Sequence, residues 1–216
     1  MKTIVILVSG RGSNMQAIIR ANQAGLINVK IAAVVSNTAK AKALEIAQSH
    51  GIKTQVVSPD GFHDRKAYDG ALLAALEKYQ PDLVVLAGFM RILTADFVKY
   101  YEGRIINIHP SILPSFIGLN THQRALEAGV RVHGATVHFV TEDLDAGPII
   151  AQATVPVLPD DTASALAERV LAQEHTLYPR VIGWFAEGRL WLEEGRAVLS
   201  QDIVESGKYL LRGELS

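Results

Sequence analysis

The segment Ile4-Val5-Ile6-Leu7-Val8-Ser9-Gly10-Arg11-Gly12-Ser13-Asn14 decides the fold class. The apolar run at residues 4–8 is typical of a strand that is covered on both faces. It passes into a glycine loop, and from Ser13 to Ala24 the apolar residues recur at helical spacing, which predicts a helix. A buried strand that leads through a glycine loop into a helix indicates an α/β fold with a parallel sheet.

The same alternation of strand and helix continues along the chain. Further strands are predicted at residues 29–35, 53–57, 83–87, 104–109, 135–140, 149–157 and 198–204. Further helices are predicted at residues 39–49, 62–79, 96–101, 123–128 and 163–187, the last bent or broken near Pro179. This order implies an α/β, Rossmann-like architecture, in which a mostly parallel central sheet carries helices on both faces.

Composition restricts the class of protein. The 216 residues are 49% hydrophobic and have a net charge of −1, which gives no reason to expect binding to nucleic acid or to a membrane surface. No apolar run approaches the roughly 18 residues of a membrane-spanning helix. The absence of cysteine excludes disulfides, thiolate zinc sites and a cysteine nucleophile. We therefore expect a soluble cytoplasmic protein with one domain at residues 1–216.

The glycine loop at residues 9–14 is a candidate phosphate site. Its glycines let the backbone approach a ligand, and the helix start after it offers free N–H groups. A dinucleotide fingerprint would need glycine in place of Met15 and an acidic residue near 36–38, and the Walker Gly-Lys-Ser/Thr ending is also missing. A monophosphate is therefore favoured over NAD or ATP. The alternative is a tight turn in which Ser13 or Asn14 caps the helix.

The strand predicted at residues 104–109 ends with two polar residues. Asn107 and His109 alternate with apolar neighbours, so both side chains point to the same face. Pro110 ends the strand, and ligands of open α/β sheets bind at such carboxyl ends. An amide and an imidazole can stabilise the oxyanion of an acyl-type transfer. The alternative, a buried histidine that only satisfies its own hydrogen bonds, leaves the neighbouring Asn107 unexplained.

Two acidic positions are further candidates. In the loop at residues 141–148, small neighbours would let Asp145 approach and orient His109, although an exposed acidic turn is the reading that the sequence alone favours. Glu174 interrupts an apolar stripe of the last predicted helix, formed by Leu166, Val170, Leu177 and Val181. A carboxylate in such a stripe is either paired or part of a site, unless it lies at the edge with its head group in water.

Five segments, in order, resemble the glycinamide ribonucleotide transformylase family. They are residues 9–14, 86–93 (Leu-Ala-Gly-Phe-Met-Arg-Ile-Leu), 107–114 (Asn-Ile-His-Pro-Ser-Ile-Leu-Pro), 133–140 (His-Gly-Ala-Thr-Val-His-Phe-Val) and 144–148 (Leu-Asp-Ala-Gly-Pro). Each segment is modestly specific, and the ordered set is highly specific. The resemblance implies the formyltransferase fold and transfer of a formyl group from 10-formyltetrahydrofolate to the amine of glycinamide ribonucleotide in purine biosynthesis.

The resemblance also assigns roles to individual residues. The implied catalytic residues are Asn107, His109 and Asp145. The residues implied for the ribonucleotide are Gly12, Ser13, Asn14 and Glu174. The residues implied for folate are Arg65, Met90, Arg91, Ile92, Leu93, Asn107, Thr141 and Asp145. It implies no metal, no nucleic-acid or membrane partner, a monomer or homodimer, a nucleotide-binding half at about 1–100 and a folate-binding and catalytic half at about 101–216.

The chain departs from the family pattern in one loop. Ile117 stands where the family usually has proline, and Asn120 stands where it usually has histidine, whereas His122 is kept.

Two other enzymes share the formyl-transfer core. Methionyl-tRNA formyltransferase usually adds a C-terminal domain, and formyltetrahydrofolate hydrolase usually adds an N-terminal one; we expect neither here. A noncatalytic nucleotide-binding module would explain the glycine loop but not Asn107 and His109.

Overall fold

The computed structural model describes residues 1–213 of the chain. Two compact units are present, residues 1–107 and the described residues from Ile108 onward. The predicted elements up to residue 187 are all found, with their ends shifted by at most three residues. The prediction of one domain with functional halves at about 1–100 and 101–216 stays a prediction.

The first unit contains a parallel sheet. Its strands are β1 (Lys2–Val8), β2 (Val29–Ser36), β3 (Thr54–Val56), β4 (Leu83–Leu86) and β5 (Ile105–His109), the last two residues of which belong to the second unit. Its helices are α1 (Ser13–Gln23), α2 (Lys42–Ser49), α3 (Arg65–Glu77) and α4 (Ala95–Tyr100). The strand order is β3-β2-β1-β4-β5, and every neighbouring pair is parallel.

This strand order explains where a ligand can bind. The chain moves outward from β1 to β3 and then returns to β4 and β5 on the other side of β1. Because parallel crossovers are right-handed, α1 and α2 cover one face of the sheet and α3 and α4 cover the other. The residues Ile4–Val8 are completely buried between these layers, as the apolar run predicts. The direction reverses between β1 and β4, and such a switch point opens a crevice at the carboxyl ends of the strands.

The second unit is built on antiparallel pairing. It contains α5 (Thr121–Glu127), β6 (Val132–Phe139), β7 (Ile149–Pro156), α6 (Ala163–Ala186), β8 (Leu190–Glu193), β9 (Arg196–Leu199), α7 (Gln201–Ser206) and β10 (Leu210–Arg212). Strand β7 pairs antiparallel with β6 and parallel with β10. Helix α6 packs against β6 and β7. The prediction of a mostly parallel sheet surrounded by helices is confirmed, with β6 and β7 as the antiparallel exception.

Helix α6 continues through Pro179, so a break there is wrong, whereas a bend stays a prediction. Proline removes one backbone donor, which by itself destabilises a helix interior. Pro179 and its neighbours Tyr178, Val181 and Ile182 are buried, however. Tertiary packing supplies most of the stability of a helix in a protein, and here it outweighs the missing hydrogen bond.

The final strand predicted at residues 198–204 is wrong beyond Leu199. Strands β8 and β9 form a hairpin instead, and its turn residues Glu194 and Gly195 have φ angles of +48° and +72°. Positive φ at both turn positions is the geometry that matches the twist of paired strands. Ser200 directly precedes α7, and Gly207, with a φ of +64°, directly follows it. Within residues 1–213, no helix is long and apolar enough to cross a membrane.

Candidate active site

A pocket of about 200 Å³ lies at the crevice of the first unit. It is lined by the whole loop at residues 9–14, together with Ala87, Gly88 and Met90. Gly12 directly precedes α1 and has a φ of +79°, and a Cβ atom at that position would lie 2.6 Å from the Cβ of Ala43. Only glycine fits there, because any side chain would both strain the backbone and collide with α2.

The start of α1 forms part of the lining of this pocket. Gly12 occupies the capping position and makes no side-chain capping bond, so the alternative in which Ser13 or Asn14 caps the helix is wrong. Ser13 and Asn14 are instead the first two helical residues, at the positive end of the helix dipole. Free N–H groups at the positive end of a helix favour an anion such as phosphate.

The segment Met90–Leu93 follows β4 and has a mixed surface. Met90 and Ile92 are 71% and 54% exposed, whereas Leu93 is buried. Arg91 lies over the ring of Tyr68, 4.5 Å from its centroid. Arg65 is the exposed first residue of α3. An exposed apolar edge beside polar backbone is suited to a flat heteroaromatic ligand.

Asn107 and His109 lie on β5, as predicted. Asn107 is half-buried and is in register with Leu86 of β4. His109, two residues later, is only 5% exposed. Their spacing along a strand puts both side chains on one face.

His109 forms a buried pair with Asp145. The Nδ1 atom of His109 lies 3.3 Å from Oδ2 of Asp145, and the two side chains are 7% and 8% exposed. The Nε2 atom lies 3.0 Å from the carbonyl oxygen of Phe116. Since a carboxylate and a carbonyl can only accept, both ring nitrogens can be satisfied together only when the imidazole carries two protons. The two contacts therefore hold the ring in a fixed orientation and supply an acceptor for a proton on either nitrogen.

The buried position of Asp145 overturns the preference for an exposed acidic turn. Asp145 has a φ of +52°, and its Oδ2 atom accepts a hydrogen bond from the backbone N–H of Gly118 at 3.0 Å. Gly147 lets the backbone of this loop lie directly against the backbone of Phe139. A Cβ atom at position 147 would lie 1.8 Å from the carbonyl oxygen of Phe139. Thr141, in contrast, is exposed.

A second histidine near Asp145 was not singled out from the sequence. His138 lies on β6, its Nε2 atom is 3.9 Å from Oδ1 of Asp145, and its side chain is 2% exposed. Burial lowers the pKa of His138, while the backbone of Phe139 and the charge of Asp145 oppose that shift. The signal that could have identified it is the same as for His109, a polar residue in a buried strand.

Two further histidines pack beside the pair. The ring of His133 meets those of Phe116 and His122 edge to face, at centroid distances of 5.7 and 5.2 Å. Burial, followed by the charges of His122 and His109, lowers the pKa of His133 from 6.5 to about 4. Burial also lowers the pKa of His122. Both rings are therefore neutral near pH 7 and pack as aromatic side chains.

The loop that departs from the family pattern is held by Arg124. The guanidinium of Arg124 donates to the carbonyl oxygens of Ile117 and Leu119 at 2.6 and 3.3 Å. Asn120 is exposed, has a φ of +56° and begins α5. The loop thus has a defined conformation without proline at position 117.

Glu174 is buried within the apolar stripe of α6, at 7% exposure, so the alternative of an edge position in water is wrong. Burying a carboxylate is unfavourable unless a partner or a ligand interacts with it.

Among residues 1–213, no group of three or more histidine, aspartate or glutamate side chains is placed to hold a metal ion.

Comparison with known proteins agrees with this geometry. The formyl transferase family model matches residues 2–182. The chain is 52% identical to phosphoribosylglycinamide formyltransferase of Escherichia coli K12 over 196 residues, which is 91% of this chain and 92% of the relative. It is 45% identical to the Haemophilus influenzae enzyme of the same name, covering 97% and 99% of the two chains. The solved phosphoribosylglycinamide formyltransferase of Coxiella burnetii superposes with a TM-score of 0.89 at 49% identity, covering 92% of this chain and 93% of that one. The chain therefore belongs to the formyl transferase family, among the phosphoribosylglycinamide formyltransferases.

Proposed function

We propose that this protein transfers the formyl group of 10-formyltetrahydrofolate to the amine of glycinamide ribonucleotide, a step of purine biosynthesis, and that Asn107, His109 and Asp145 carry out the transfer. The observation that carries the proposal is the buried His109–Asp145 pair at the end of β5. A fixed imidazolium beside an amide is the donor set that a developing oxyanion needs. Membership of the family supplies the substrates.

The reaction follows from these groups. The free amine attacks the formyl carbon, a C–N bond forms, and the carbonyl oxygen becomes an oxyanion. The Asn107 amide and the Nε2 proton of His109 stabilise that oxyanion, which replaces the Phe116 carbonyl as the acceptor of that proton. Asp145 holds the imidazolium in place. The tetrahedral intermediate then expels N10 of tetrahydrofolate, and the proton lost by the amine is delivered to N10 through water that Asp145 orders.

The other residues bind the two substrates. Gly12, Ser13 and Asn14 receive the ribonucleotide phosphate at the start of α1, where the helix dipole favours an anion. The buried carboxylate of Glu174 contacts the remainder of the same substrate. Folate is bound by Arg65, Met90, Arg91, Ile92, Leu93, Asn107, Thr141 and Asp145. The proposed reaction takes place in the cytoplasm with small-molecule substrates alone, without a metal ion, in a monomer or a homodimer.

The test measures tetrahydrofolate formed from 10-formyltetrahydrofolate, with and without glycinamide ribonucleotide, in the wild type and in His109→Ala. We expect product only when the ribonucleotide is present, and a much lower turnover in the variant with a smaller change in KM. Product without the ribonucleotide would indicate a hydrolase. No product under either condition would contradict the transfer reaction and favour a noncatalytic nucleotide-binding module.

A further inference from the structure

We propose that Ser9 and Asp69 are positioning residues for folate, which fix the two ends of the segment Met90–Thr94 in its binding conformation. This inference deepens the proposed function and depends on it, since the segment is assigned to folate there. Neither residue was singled out from the sequence as a folate contact. Each accepts a hydrogen bond from a backbone N–H group at one end of the segment.

The first end of the segment is tied to the phosphate loop. The backbone N–H of Met90 donates to Oγ of Ser9 at 2.8 Å, and the Ser9 hydroxyl donates its own proton to Oδ1 of Asn37 at 2.6 Å. The backbone N–H of Ser9 donates to the carbonyl oxygen of Gly88 at 3.1 Å. Ser9 therefore uses its main chain and its side chain to join the loop after β1 to the segment after β4.

The second end is tied to α3 by a buried carboxylate. Oδ2 of Asp69 accepts a hydrogen bond from the backbone N–H of Thr94 at 2.6 Å, and Asp69 is only 3% exposed. Burying a carboxylate is expensive, and a charge-assisted hydrogen bond to a backbone N–H is a strong compensation. This bond also satisfies a donor beside the start of α4, since Thr94 is the residue that precedes that helix.

The middle of the segment is held through an aromatic ring. The guanidinium of Arg91 stacks 4.5 Å from the centroid of Tyr68, the residue before Asp69 on α3. In the part of the chain that the structure describes, the Tyr68 hydroxyl has no hydrogen-bond partner, so Tyr68 holds Arg91 by its ring face. With Arg91 folded back in this way, the exposed side chains of Met90 and Ile92 form the outer edge of the segment.

Such a segment is preorganised for a flat ligand. A ligand that binds an ordered backbone does not have to supply the free energy of ordering it. Loss of either hydrogen bond would leave the peptide groups of the segment chemically unchanged but would let them move. The expected consequence is weaker folate binding without a comparable loss of ribonucleotide binding, because the substitutions keep the backbone of the phosphate loop.

The experiment compares Ser9→Ala, Ser9→Thr, Asp69→Ala and Asp69→Asn with the wild type. Ser49→Ala is the matched control, since the Ser49 hydroxyl also makes one hydrogen bond, to the carbonyl oxygen of Ile46 at 2.7 Å, on the exposed end of α2. Amide hydrogen exchange at Met90 and Thr94 is measured on the ligand-free proteins. Tetrahydrofolate affinity is measured by calorimetry, and KM for glycinamide ribonucleotide by turnover.

We expect Ser9→Ala to raise exchange at the Met90 amide and to weaken tetrahydrofolate binding by roughly three- to tenfold, the worth of one hydrogen bond. Asp69→Ala should do the same at Thr94 with a larger loss. Ser9→Thr and Asp69→Asn, which keep an acceptor, should recover most of the affinity. The loss of tetrahydrofolate affinity should exceed any rise in KM for the ribonucleotide, and the properties of Ser49→Ala should stay within about twofold of the wild type. Should Asp69→Ala fail to fold, the two Ser9 variants still decide the question.

Four outcomes would overturn the inference. Unchanged exchange at Met90 in Ser9→Ala would show that the hydroxyl does not hold the segment. A rise in the ribonucleotide KM as large as the loss of tetrahydrofolate affinity would assign Ser9 to the phosphate loop alone. Wild-type formyl transfer together with unchanged tetrahydrofolate affinity in every variant would refute the positioning role and leave the proposed function intact. A wild type that neither binds tetrahydrofolate nor transfers formyl would remove both.

Discussion

The phosphate loop at residues 9–14 and the His109–Asp145 pair are built from different parts of the chain. The loop offers backbone N–H groups in an open pocket, and its tightest constraint is the space around Gly12, where a Cβ atom would lie 2.6 Å from Ala43. The pair offers side-chain charge, and both of its side chains are at least nine-tenths buried. A backbone site should therefore be sensitive to added volume, whereas the pair should be sensitive to a change of charge at constant volume.

The largest effect is expected from Asp145→Asn. Asparagine has the same size and, like aspartate, tolerates the left-handed backbone that Asp145 adopts at φ of +52°. The substitution removes the charge that orients and stabilises the His109 imidazolium and replaces one carboxylate oxygen by an NH₂ group. We expect turnover to fall by about 10²- to 10⁴-fold, the usual contribution of a positioned acid–base group. Steady-state kinetics with both substrates would measure it.

Asp143→Asn is the matched control for this prediction. Asp143 lies in the same loop but is exposed, so loss of its charge should alter turnover by less than about twofold. Equal losses of turnover in the two variants would mean that turnover depends on the total negative charge of the loop and not on the one buried carboxylate of Asp145. A tenfold or smaller loss in Asp145→Asn would contradict the role assigned to the pair.

The second effect is a change of stability with pH. It arises beside the His109–Asp145 pair, where His133 is buried. Above pH 6.5, His133 is neutral in both the folded and the unfolded protein, and its full contribution to stability is present. As pH falls from 6.5 to about 4, His133 binds a proton in the unfolded chain but not in the folded protein. The free energy of unfolding therefore falls across that window. At about 1.4 kcal/mol for each pH unit, the loss from His133 alone is about 3 kcal/mol.

The variant His133→Asn isolates this contribution. The free energy of unfolding should fall less steeply between pH 6.5 and 4 in the variant than in the wild type, by about 3 kcal/mol over the whole window. His122 and His138, whose pKa values are also lowered by burial, keep part of the slope in both proteins. Parallel pH profiles, measured by urea unfolding, would show that His133 titrates in the folded state as it does in the unfolded one.

The third effect tests the constraint of space in the loop. Gly12→Ala adds one methyl group against Ala43 and forces a non-glycine residue to adopt φ of +79°. We expect the free energy of unfolding to fall by about 1–3 kcal/mol and the ribonucleotide KM to rise. Gly10→Ala is the control for stability, because a Cβ atom there meets nothing within 4 Å. Equal stability of the two variants would contradict the packing argument.

The same contrast explains what could be predicted from the sequence. Local patterns predicted the strand, loop and helix at residues 4–24, and they also predicted that Asn107 and His109 share one face of a strand. In both cases periodicity and side-chain alternation carry the information. The burial of Asp145 is not local. It depends on a positive φ and on the close approach of Gly147 to Phe139, and neither leaves a periodic trace in the sequence.

Where prediction failed, a distant contact or turn chemistry was decisive. The continuity of α6 through Pro179 comes from burial of the surrounding residues, which proline propensity alone cannot indicate. The division of residues 198–204 between β9 and α7 had a local signal that was overlooked, since Ser200 and Gly207 are typical residues before and after a helix. The contact of Asp69 with Thr94 joins residues 25 positions apart and had no signal of its own.

The smallest effect is expected from Asn120→His, which restores the residue that the family usually has. Asn120 is exposed and adopts φ of +56°, and histidine is one of the few other residues that tolerate this conformation well. The new ring would enter without backbone strain, and it would add a titratable group in water rather than a buried charge beside Asp145. We therefore expect turnover to change by less than about threefold and stability by less than about 0.5 kcal/mol. A rise in turnover of tenfold or more, lost again below the pKa of an exposed histidine, would show that a solvated group at this position moves protons and that burial is not what makes the His109–Asp145 pair effective.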